Sequence, residues 1–186
     1  MTVLVTGGAG CSGGHAAHRL VELGEEVVVF DNLSTNGAEL VPAGARLIEG
    51  DLRDHSALEA LFRSEAIDTV MHFAASISVP ESIANPELYY DNNVVGTLNL
   101  ARHAGPAGVS RLVFSSTAAV YGECDGAPVR EDCPLNPISP YGVSKAFCER
   151  ILLDIANRRD MGLVALRYFN VAGVNPAYGV GPSAVD

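Results

Sequence analysis

The stretch TGGAGCSGG, residues 6–14, follows the short β-branched run TVLVT and precedes a helical pattern at residues 13–23. Its glycines Gly7, Gly10 and Gly13 stand three residues apart. Glycine at such positions allows a tight turn, a close approach of the backbone to a pyrophosphate, and close packing of a helix on a strand. The N-terminus of the following helix would then face the phosphates. The stretch therefore predicts a dinucleotide-binding turn between the first strand and the first helix.

Apolar runs alternate with helical patterns along the rest of the chain. Strands are predicted at residues 2–6, 26–30, 45–50, 68–73, 111–116 and 163–169, and further helices at 55–65, 87–104 and 141–159, with a loop at 123–140. Strands bounded by helices indicate right-handed βαβ crossovers and a parallel sheet with helices on both faces. We expect an α/β fold, a Rossmann-like doubly wound parallel sheet with strand order 3-2-1-4-5-6.

Composition excludes several classes of function. The chain has 186 residues, of which 48% are apolar and 18% charged, which suits one folded domain. Its net charge of −10 argues against a nucleic-acid partner, which needs a basic surface. No apolar run reaches membrane-spanning length and no signal peptide is visible, so we expect no membrane partner and a cytoplasmic location.

The cysteines and histidines form no recognisable ligand pattern. Cys11, Cys124, Cys133 and Cys148 make no CxxC pair and are interpreted as reduced thiols. Two histidines, 15 and 18, share a helical face, but a pair without a third ligand is a weak metal signal. We predict no metal site.

Two acidic residues end the second and third strands. Asp31 is placed to accept hydrogen bonds from the adenosine ribose, and its charge would repel a 2′-phosphate, which favours NAD over NADP. Asp51 could reach the adenine amino group, with Leu52 packing on the ring. A solvated turn residue is the alternative for Asp51.

Tyr141 and Lys145 are four residues apart on a predicted helix and therefore share a face. Lys145 is the single lysine of a chain with eleven arginines. A phenol with a pKa near ~10 needs a shift of about three units to act as a base at neutral pH, and one positive charge ~4 Å away contributes on that order. The stretch FSSTAAVYG (114–122) adds the hydroxyls of Ser115, Ser116 and Thr117 at the carboxyl edge of the sheet, where Thr117 can bond the same substrate oxygen as Tyr141. An exposed helix pair is the alternative.

These motifs together resemble the extended short-chain dehydrogenase/reductase family, and most of all its NAD-dependent 4-epimerases of UDP-hexoses. The matching stretches run from VLVTGGAG (3–10) through IEGDLRD (48–54) and SPYGVSK (139–145) to LRYFNVAG (166–173). The resemblance implies a tightly held NAD and interconversion of UDP-glucose and UDP-galactose, as in galactose metabolism. It implies Tyr141 as the base, with Lys145 and Thr117 as further catalytic residues.

The resemblance also implies a set of contacts. The cofactor-binding residues would be Gly7, Gly10, Cys11, Ser12, Gly13, Asp31, Asn32, Ser34, Thr35, Asn36, Asp51, Leu52, Phe73, Ala74, Ala75, Asn92, Ser115, Tyr141, Lys145 and Phe169. The substrate would be contacted by Thr117, Tyr141 and Asn170. A homodimer would form through the helices at 87–104 and 141–159.

The chain departs from the family pattern in three ways. Cys11 and Ser12 stand where the family usually has Tyr-Ile, and Ile77 stands where many members carry lysine. Members also continue into a smaller C-terminal domain that binds the nucleotide sugar and is largely absent here. We therefore expect an NAD-binding catalytic domain at 1–173 and the start of a truncated substrate-binding region at 174–186.

Other functions stay open. A 4,6-dehydratase of the same family would need an Asp-Glu pair after Thr117, where this chain has Ala118 and Ala119. A simple sugar-nucleotide dehydrogenase would release reduced cofactor. A dinucleotide-binding fragment or module without turnover is favoured by the missing C-terminal region.

Overall fold

A computed structural model describes residues 1–124 and 128–179. Six parallel strands form one sheet in the order β3-β2-β1-β4-β5-β6. The strands are β1 (Thr2–Thr6), β2 (Glu26–Asp31), β3 (Ala45–Glu49), β4 (Thr69–His72), β5 (Arg111–Ser115) and β6 (Gly162–Leu166). The predicted Rossmann-like fold and its strand order are confirmed.

The helices connect these strands. They are α1 (Cys11–Glu22), α2 (His55–Ser64), α3 (Val79–Ala84), α4 (Pro86–Tyr89), α5 (Gly96–Ala104) and α6 (Pro140–Arg159). Short 3₁₀ helices cover Ala38–Leu40 and Ala118–Tyr121, and a π-helical segment, Tyr90–Val95, joins α4 to α5. The predicted helix 87–104 is thus one helical stretch from Pro86 to Ala104 with a π segment inside it, and α3 was not predicted.

The prediction for the last strand was too long, since β6 ends at Leu166 and not at residue 169. The next two residues make contacts outside the sheet. The guanidinium of Arg167 turns to the carboxylate of Glu149, and the carbonyl of Tyr168 accepts a hydrogen bond of 2.9 Å from the backbone N–H of Ala118. With these two contacts the chain leaves the hydrogen-bonding pattern between β5 and β6.

The apolar core lies on both faces of the sheet. One face packs against α2, α5 and α6, through residues such as Phe30, Phe114, Leu58, Leu100 and Leu152. The other face packs Val3, Val5, Val27 and Val29 against Ala17 of α1. Helices on both faces leave the carboxyl edge of the parallel strands open, which is where such folds bind ligands.

The C-terminal part of the described chain returns over α1. The ring of Tyr178 stacks on His18 with centroids 4.3 Å apart. Residues 180–186 of the expected region 174–186, and residues 125–127 of the expected loop, lie outside the described residues. Among the described residues, no helix is both long and apolar enough to cross a membrane.

Candidate active site

The three glycines of the first turn differ in what a side chain would meet there. Gly7 has a φ of +72°, and a Cβ on it would lie 2.5 Å from the backbone nitrogen of Ala74. A Cβ on Gly13 would lie 2.2 Å from the carbonyl oxygen of Gly7. A Cβ on Gly10 would meet only that same oxygen, at 3.2 Å. Gly7 and Gly13 therefore shape the turn, whereas Gly10 keeps a groove clear above it.

The N-terminus of α1 points into this groove. Gly10 is its N-cap, and the first turn carries no acidic side chain. The first N–H groups of a helix have no intrahelical partners and favour an anion. Burial raises the pKa of the Cys11 thiol, so Cys11 is neutral at physiological pH. This turn can hold a phosphate.

Asp31 ties the glycine turn to the loop after β2. Its carboxylate accepts hydrogen bonds from the backbone N–H groups of Ala9, at 3.0 Å, and Leu33, at 2.9 Å. Two acceptor oxygens offer about four lone-pair sites, so capacity remains for a ligand hydroxyl. Asn32 continues the connection by donating 3.1 Å to the carboxylate of Asp51.

Asp51 is held by an arginine that the sequence reasoning missed. Arg53 donates to its carboxylate from Nε at 2.9 Å, from Nη2 at 2.7 Å and from the backbone N–H at 2.8 Å. These bonds hold the pKa of Asp51 far below its usual range. Asp51 is therefore ionised and held in place by Arg53.

A cavity of about 520 Å³ lies along the carboxyl ends of β1 to β4. Many of the predicted cofactor-binding residues line it, namely Gly7, Gly10, Asp31, Asn32, Ser34, Thr35, Asn36, Asp51, Leu52, Phe73, Ala74, Ala75 and Asn92. A second cavity, of about 490 Å³, is lined by Cys11, Ser12, Phe73 and Tyr168 among others. Phe73 belongs to both, so the two cavities adjoin at the N-terminus of α1.

The π segment places two consecutive asparagines in different roles. Asn92 lines the larger cavity and donates 3.1 Å to the hydroxyl of Ser76. Asn93 is buried, accepts 2.8 Å from the backbone N–H of Ser76 and donates 3.1 Å to the hydroxyl of Ser144. Asn93 thereby fastens the loop after β4 to α6. Such π segments are frequent at functional sites.

The side chain of Thr117 lies close enough to the phenol of Tyr141 to lower its pKa. Thr117 in turn accepts 3.1 Å from the backbone N–H of Ala119 and so caps the 3₁₀ helix. Burial raises the pKa of Tyr141, the Thr117 side chain lowers it, and the nearby phenol of Tyr168 raises it. The net result is a raised pKa, so the Tyr141 phenol is protonated at neutral pH in this structure.

Lys145 is buried and lies beneath the end of β5. Its Nζ donates 2.9 Å to the carbonyl of Ser115 and stands 4.8 Å from the centre of the Phe114 ring. Burial lowers the pKa of Lys145 to about 8, so it is mostly protonated at pH 7. The predicted lowering of the Tyr141 pKa by this ammonium is not seen here, because burial of the phenol outweighs the effects that lower its pKa.

The remaining predicted residues lie at the end of β5 and in the segment after β6. The hydroxyl of Ser115 bonds the hydroxyl of Tyr168. Phe169 is 73% exposed, and Asn170 is also exposed. Ser115, Thr117, Tyr141, Lys145, Phe169 and Asn170 are absent from the lining of both cavities described above. Tyr168 lines the second cavity and was missed by the sequence reasoning.

Comparison with known proteins settles the family. The profile of the NAD dependent epimerase/dehydratase family matches residues 3–183. The chain belongs to this family.

Curated relatives and solved structures agree with this assignment. UDP-glucose 4-epimerase of Azospirillum brasilense is 47% identical over 175 residues, which are 94% of this chain and 50% of that protein. The Streptomyces lividans enzyme of the same name is 49% identical over 173 residues, 92% of this chain and 53% of that one. The crystal structure of Stenotrophomonas maltophila UDP-glucose-4-epimerase with bound NAD and formylated UDP-arabinopyranose has a TM-score of 0.93 at 39% identity, covering 100% of this chain and 57% of that one.

The chain spans about half the length of the curated relatives it matches. The site described above therefore covers only the dinucleotide-binding half of a family member. Ile77, one of the departures from the family pattern, lines the larger cavity and is 70% exposed. Its apolar side chain offers a ligand no ionic contact at that place.

Proposed function

We propose that the protein carrying this chain is an NAD-dependent 4-epimerase of UDP-hexoses, which interconverts UDP-glucose and UDP-galactose. The observation that carries the proposal is the proximity of Thr117 to the Tyr141 phenol, at the sheet edge that also presents the cavity of about 520 Å³. The names of the relatives, and the NAD and UDP-sugar in the Stenotrophomonas maltophila structure, support it.

The residues present fit NAD. Gly10 leaves room where a side chain would fill the groove, and the unpaired N–H groups of α1 suit a pyrophosphate. Asp31 would accept from the adenosine ribose, and Asp51, fixed by Arg53, would accept from adenine. Bound NAD would supply the reversible oxidation at C4 of the hexose.

Tyr141 would take the proton of the C4 hydroxyl and later return it. Thr117 would orient that hydroxyl through its side-chain oxygen, which lies close to the phenol. Since burial raises the pKa of Tyr141, the base needs positive charge near it when the site is filled. Lys145, mostly protonated at pH 7 and four residues along the same helix face, is the nearest candidate within the motif.

The same geometry argues against a 4,6-dehydratase. Ala118 and Ala119 open the 3₁₀ helix directly after Thr117, where that reaction would require carboxyl groups. A dinucleotide-binding module without turnover is the second candidate, because Tyr141 and Lys145 do not line the two cavities described above.

The proposal includes a homodimer through α6 and the helical stretch Pro86–Ala104. Leu152 of α6 is buried in the core and takes no part in this surface. The apolar residues left exposed on these helices include Leu88, Val95, Phe147 and Leu153. The ring of Tyr90 lies 6.4 Å from that of Phe147, so the two helices share this surface.

Cofactor binding and turnover test the proposal separately. The longest native protein that contains this sequence is mixed with UDP-galactose and NAD, and formation of UDP-glucose is followed. Turnover that Tyr141→Phe nearly abolishes without loss of NAD binding is expected. NAD binding without any turnover would replace the epimerase by the binding module, and absence of NAD binding would contradict both.

The 186-residue chain is the matched comparison. It is expected to hold NAD but to turn over far more slowly, because positioning of the reacting groups accounts for several kcal/mol of a barrier and little of this chain contacts the sugar nucleotide. Equal turnover by the two proteins would show that this half suffices.

A further inference from the structure

A partly buried ion pair joins Glu149 of α6 to Arg167, which directly follows β6. Arg167 donates to the carboxylate of Glu149 from Nε, at 3.0 and 3.1 Å, and from Nη2, at 2.7 Å. The side chains are 23% and 9% exposed. The pKa of Arg167 is raised, first by this bond, so the guanidinium stays charged. The sequence reasoning named neither residue.

Glu149 continues the spacing of the predicted catalytic pair. Tyr141, Lys145 and Glu149 follow one another at intervals of four on α6 and share one face. Each contacts one of three consecutive residues, of which the first is the last residue of β5. The phenol of Tyr141 lies close to the side chain of Thr117, Lys145 donates to the carbonyl of Ser115, and Glu149 accepts from the hydroxyl of Ser116.

Arg167 connects the same pair to the other walls of the site. Its Nη1 donates 2.9 Å to the phenol of Tyr121 and 3.2 Å to the carbonyl of Glu131. Its guanidinium also stands 5.1 Å from the centre of the Tyr121 ring. Arg167 directly precedes Tyr168, whose hydroxyl bonds Ser115. The pair therefore joins α6 to the 3₁₀ helix, the loop before α6 and the segment after β6.

We propose that Glu149 and Arg167 are positioning residues of this site: by holding Ser116 against α6 they keep Thr117 within hydrogen-bond reach of the Tyr141 phenol. Ser116 is 2% exposed and lies next to Thr117 in the chain, so a shift of one moves the other. The role of the phenol in proton transfer rests on the proposed function, but the effect of Thr117 on its pKa is measurable without turnover.

Ionisation of Tyr141 is the readout. The protein is labelled with ¹³Cζ-tyrosine, and the Tyr141 signal is assigned by its loss in Tyr141→Phe. In Ser116→Ala, which leaves both charges of the ion pair in place, the Tyr141 pKa should rise by roughly half to one unit, the effect of losing one ordinary hydrogen bond. Removing one charge of the pair acts on the phenol directly and with opposite signs in Glu149→Gln and Arg167→Met, so a rise of the Tyr141 pKa in both variants marks the lost positioning.

Glu65→Gln is the matched control. Glu65 is 8% exposed and pairs with Arg46 at 3.0 Å, so its loss should cost stability while leaving the Tyr141 pKa unchanged. The Tyr141 pKa should rise in Arg167→Met. Arg167→Lys, which keeps the charge, should show a smaller rise. If Glu149→Gln does not fold, Ser116→Ala decides the question.

An unchanged Tyr141 pKa in folded Ser116→Ala, or shifts of opposite sign in Glu149→Gln and Arg167→Met, would overturn the positioning role and leave a merely structural ion pair. An equal shift in Glu65→Gln would also overturn it, because the effect would then follow stability alone. A failed turnover assay in the parent protein would instead contradict the proposed function and leave this result standing.

Discussion

Lys145 donates a hydrogen bond of 2.9 Å from its Nζ to the main-chain carbonyl of Ser115. The carbonyl is the last of β5, so the ammonium ends the strand at the edge where the site lies. The side chain is almost fully buried, with the residue 3% exposed. A compact ammonium on a flexible stem fits this place, whereas a planar guanidinium does not. This explains why position 145 carries the single lysine of a chain whose other Lys/Arg positions are all arginine.

Lys145→Arg should therefore lower the free energy of unfolding by about 1–3 kcal/mol, the usual cost of overfilling a packed site. Urea denaturation measures the change. Lys145→Met is the control, because it fills the same space and removes a buried charge as well as its hydrogen bond. We expect Lys145→Met to be less destabilised than Lys145→Arg. The reverse order would contradict the steric argument.

Stability should fall in mild acid because of His72. The ring lies buried between the hydroxyls of Thr6, at 2.7 Å, and Thr97, at 2.8 Å. Burial, and then the charge of Lys145, lower the pKa of His72 to about 3 from 6.5. As the pH falls below 6.5 the unfolded chain takes up a proton that the folded protein refuses, so stability is lost between pH 6.5 and about 3.

The expected loss is up to about 1.4 kcal/mol per pH unit, or roughly 2 kcal/mol between pH 6.5 and 5. Denaturant titrations of the wild-type protein and of His72→Gln at pH 7 and 5 isolate this contribution, since the variant lacks the titrating group. Equal pH dependence of the two proteins would show that His72 is not the source.

Much of the fold was predictable because each strand carries a local signal. The β-branched runs and the glycine turn identify β1 to β5 within a few residues. The short helix α3 also had a signal, since Ser78 accepts a hydrogen bond from the backbone N–H of Glu81 at 3.3 Å, as in a capping motif. The π segment had none, because its register depends on the packing of Asn93 against Ser76 and Ser144.

The site residues also fall into those with a local sequence signal and those without one. Asp31 and Asp51 were found because they end strands, and Tyr141 and Lys145 because their spacing places them on one helix face. Arg53 could have been found beside Asp51. Pairs such as Glu149 with Arg167 join segments 18 residues apart without periodicity, so only the folded chain shows them.

Preference for NAD is expected from Asp31, whose carboxylate is fixed by Ala9 and Leu33 at the end of β2. A 2′-phosphate would meet this charge, and a difference of about 1.4 kcal/mol already gives a tenfold preference. Titration with both cofactors should show NADP binding at least ~10-fold more weakly. Asp31→Ala should narrow the gap, whereas Asp51→Asn should weaken both cofactors alike. Equal or tighter binding of NADP by the wild-type protein would refute this.

Self-association should depend on Phe147, which is 52% exposed on α6 beside the ring of Tyr90. Phe147→Glu would place a charge in the middle of the apolar surface and should give a monomeric mass by light scattering. Leu23→Glu is the control, because Leu23 is 60% exposed at the end of α1, away from these helices. A monomeric wild-type protein at high concentration, or equal effects of both variants, would count against this dimer.

The glycines of the first turn separate folding from cofactor binding. In Gly10→Ala the new methyl meets only the Gly7 carbonyl, at 3.2 Å, and the backbone conformation, with φ −80° and ψ 173°, suits alanine. The protein should fold, but the methyl projects into the groove above α1, so NAD affinity should fall at least ~10-fold, a change of about 1.4 kcal/mol.

In Gly13→Ala the methyl would lie 2.2 Å from the Gly7 carbonyl, so helix and strand must separate. The free energy of unfolding should fall by about 3 kcal/mol, and NAD binding should be lost with it.

Gly24→Ala controls for strain alone, because its φ is +79° and no atom lies within 4 Å of the new methyl. It should cost about 1–2 kcal/mol of stability and leave NAD affinity unchanged. Calorimetric titration with NAD, paired with urea unfolding of each variant, checks the pattern. Wild-type NAD affinity in Gly10→Ala would mean that the pyrophosphate does not approach this turn, and the cofactor site would have to lie elsewhere along the edge.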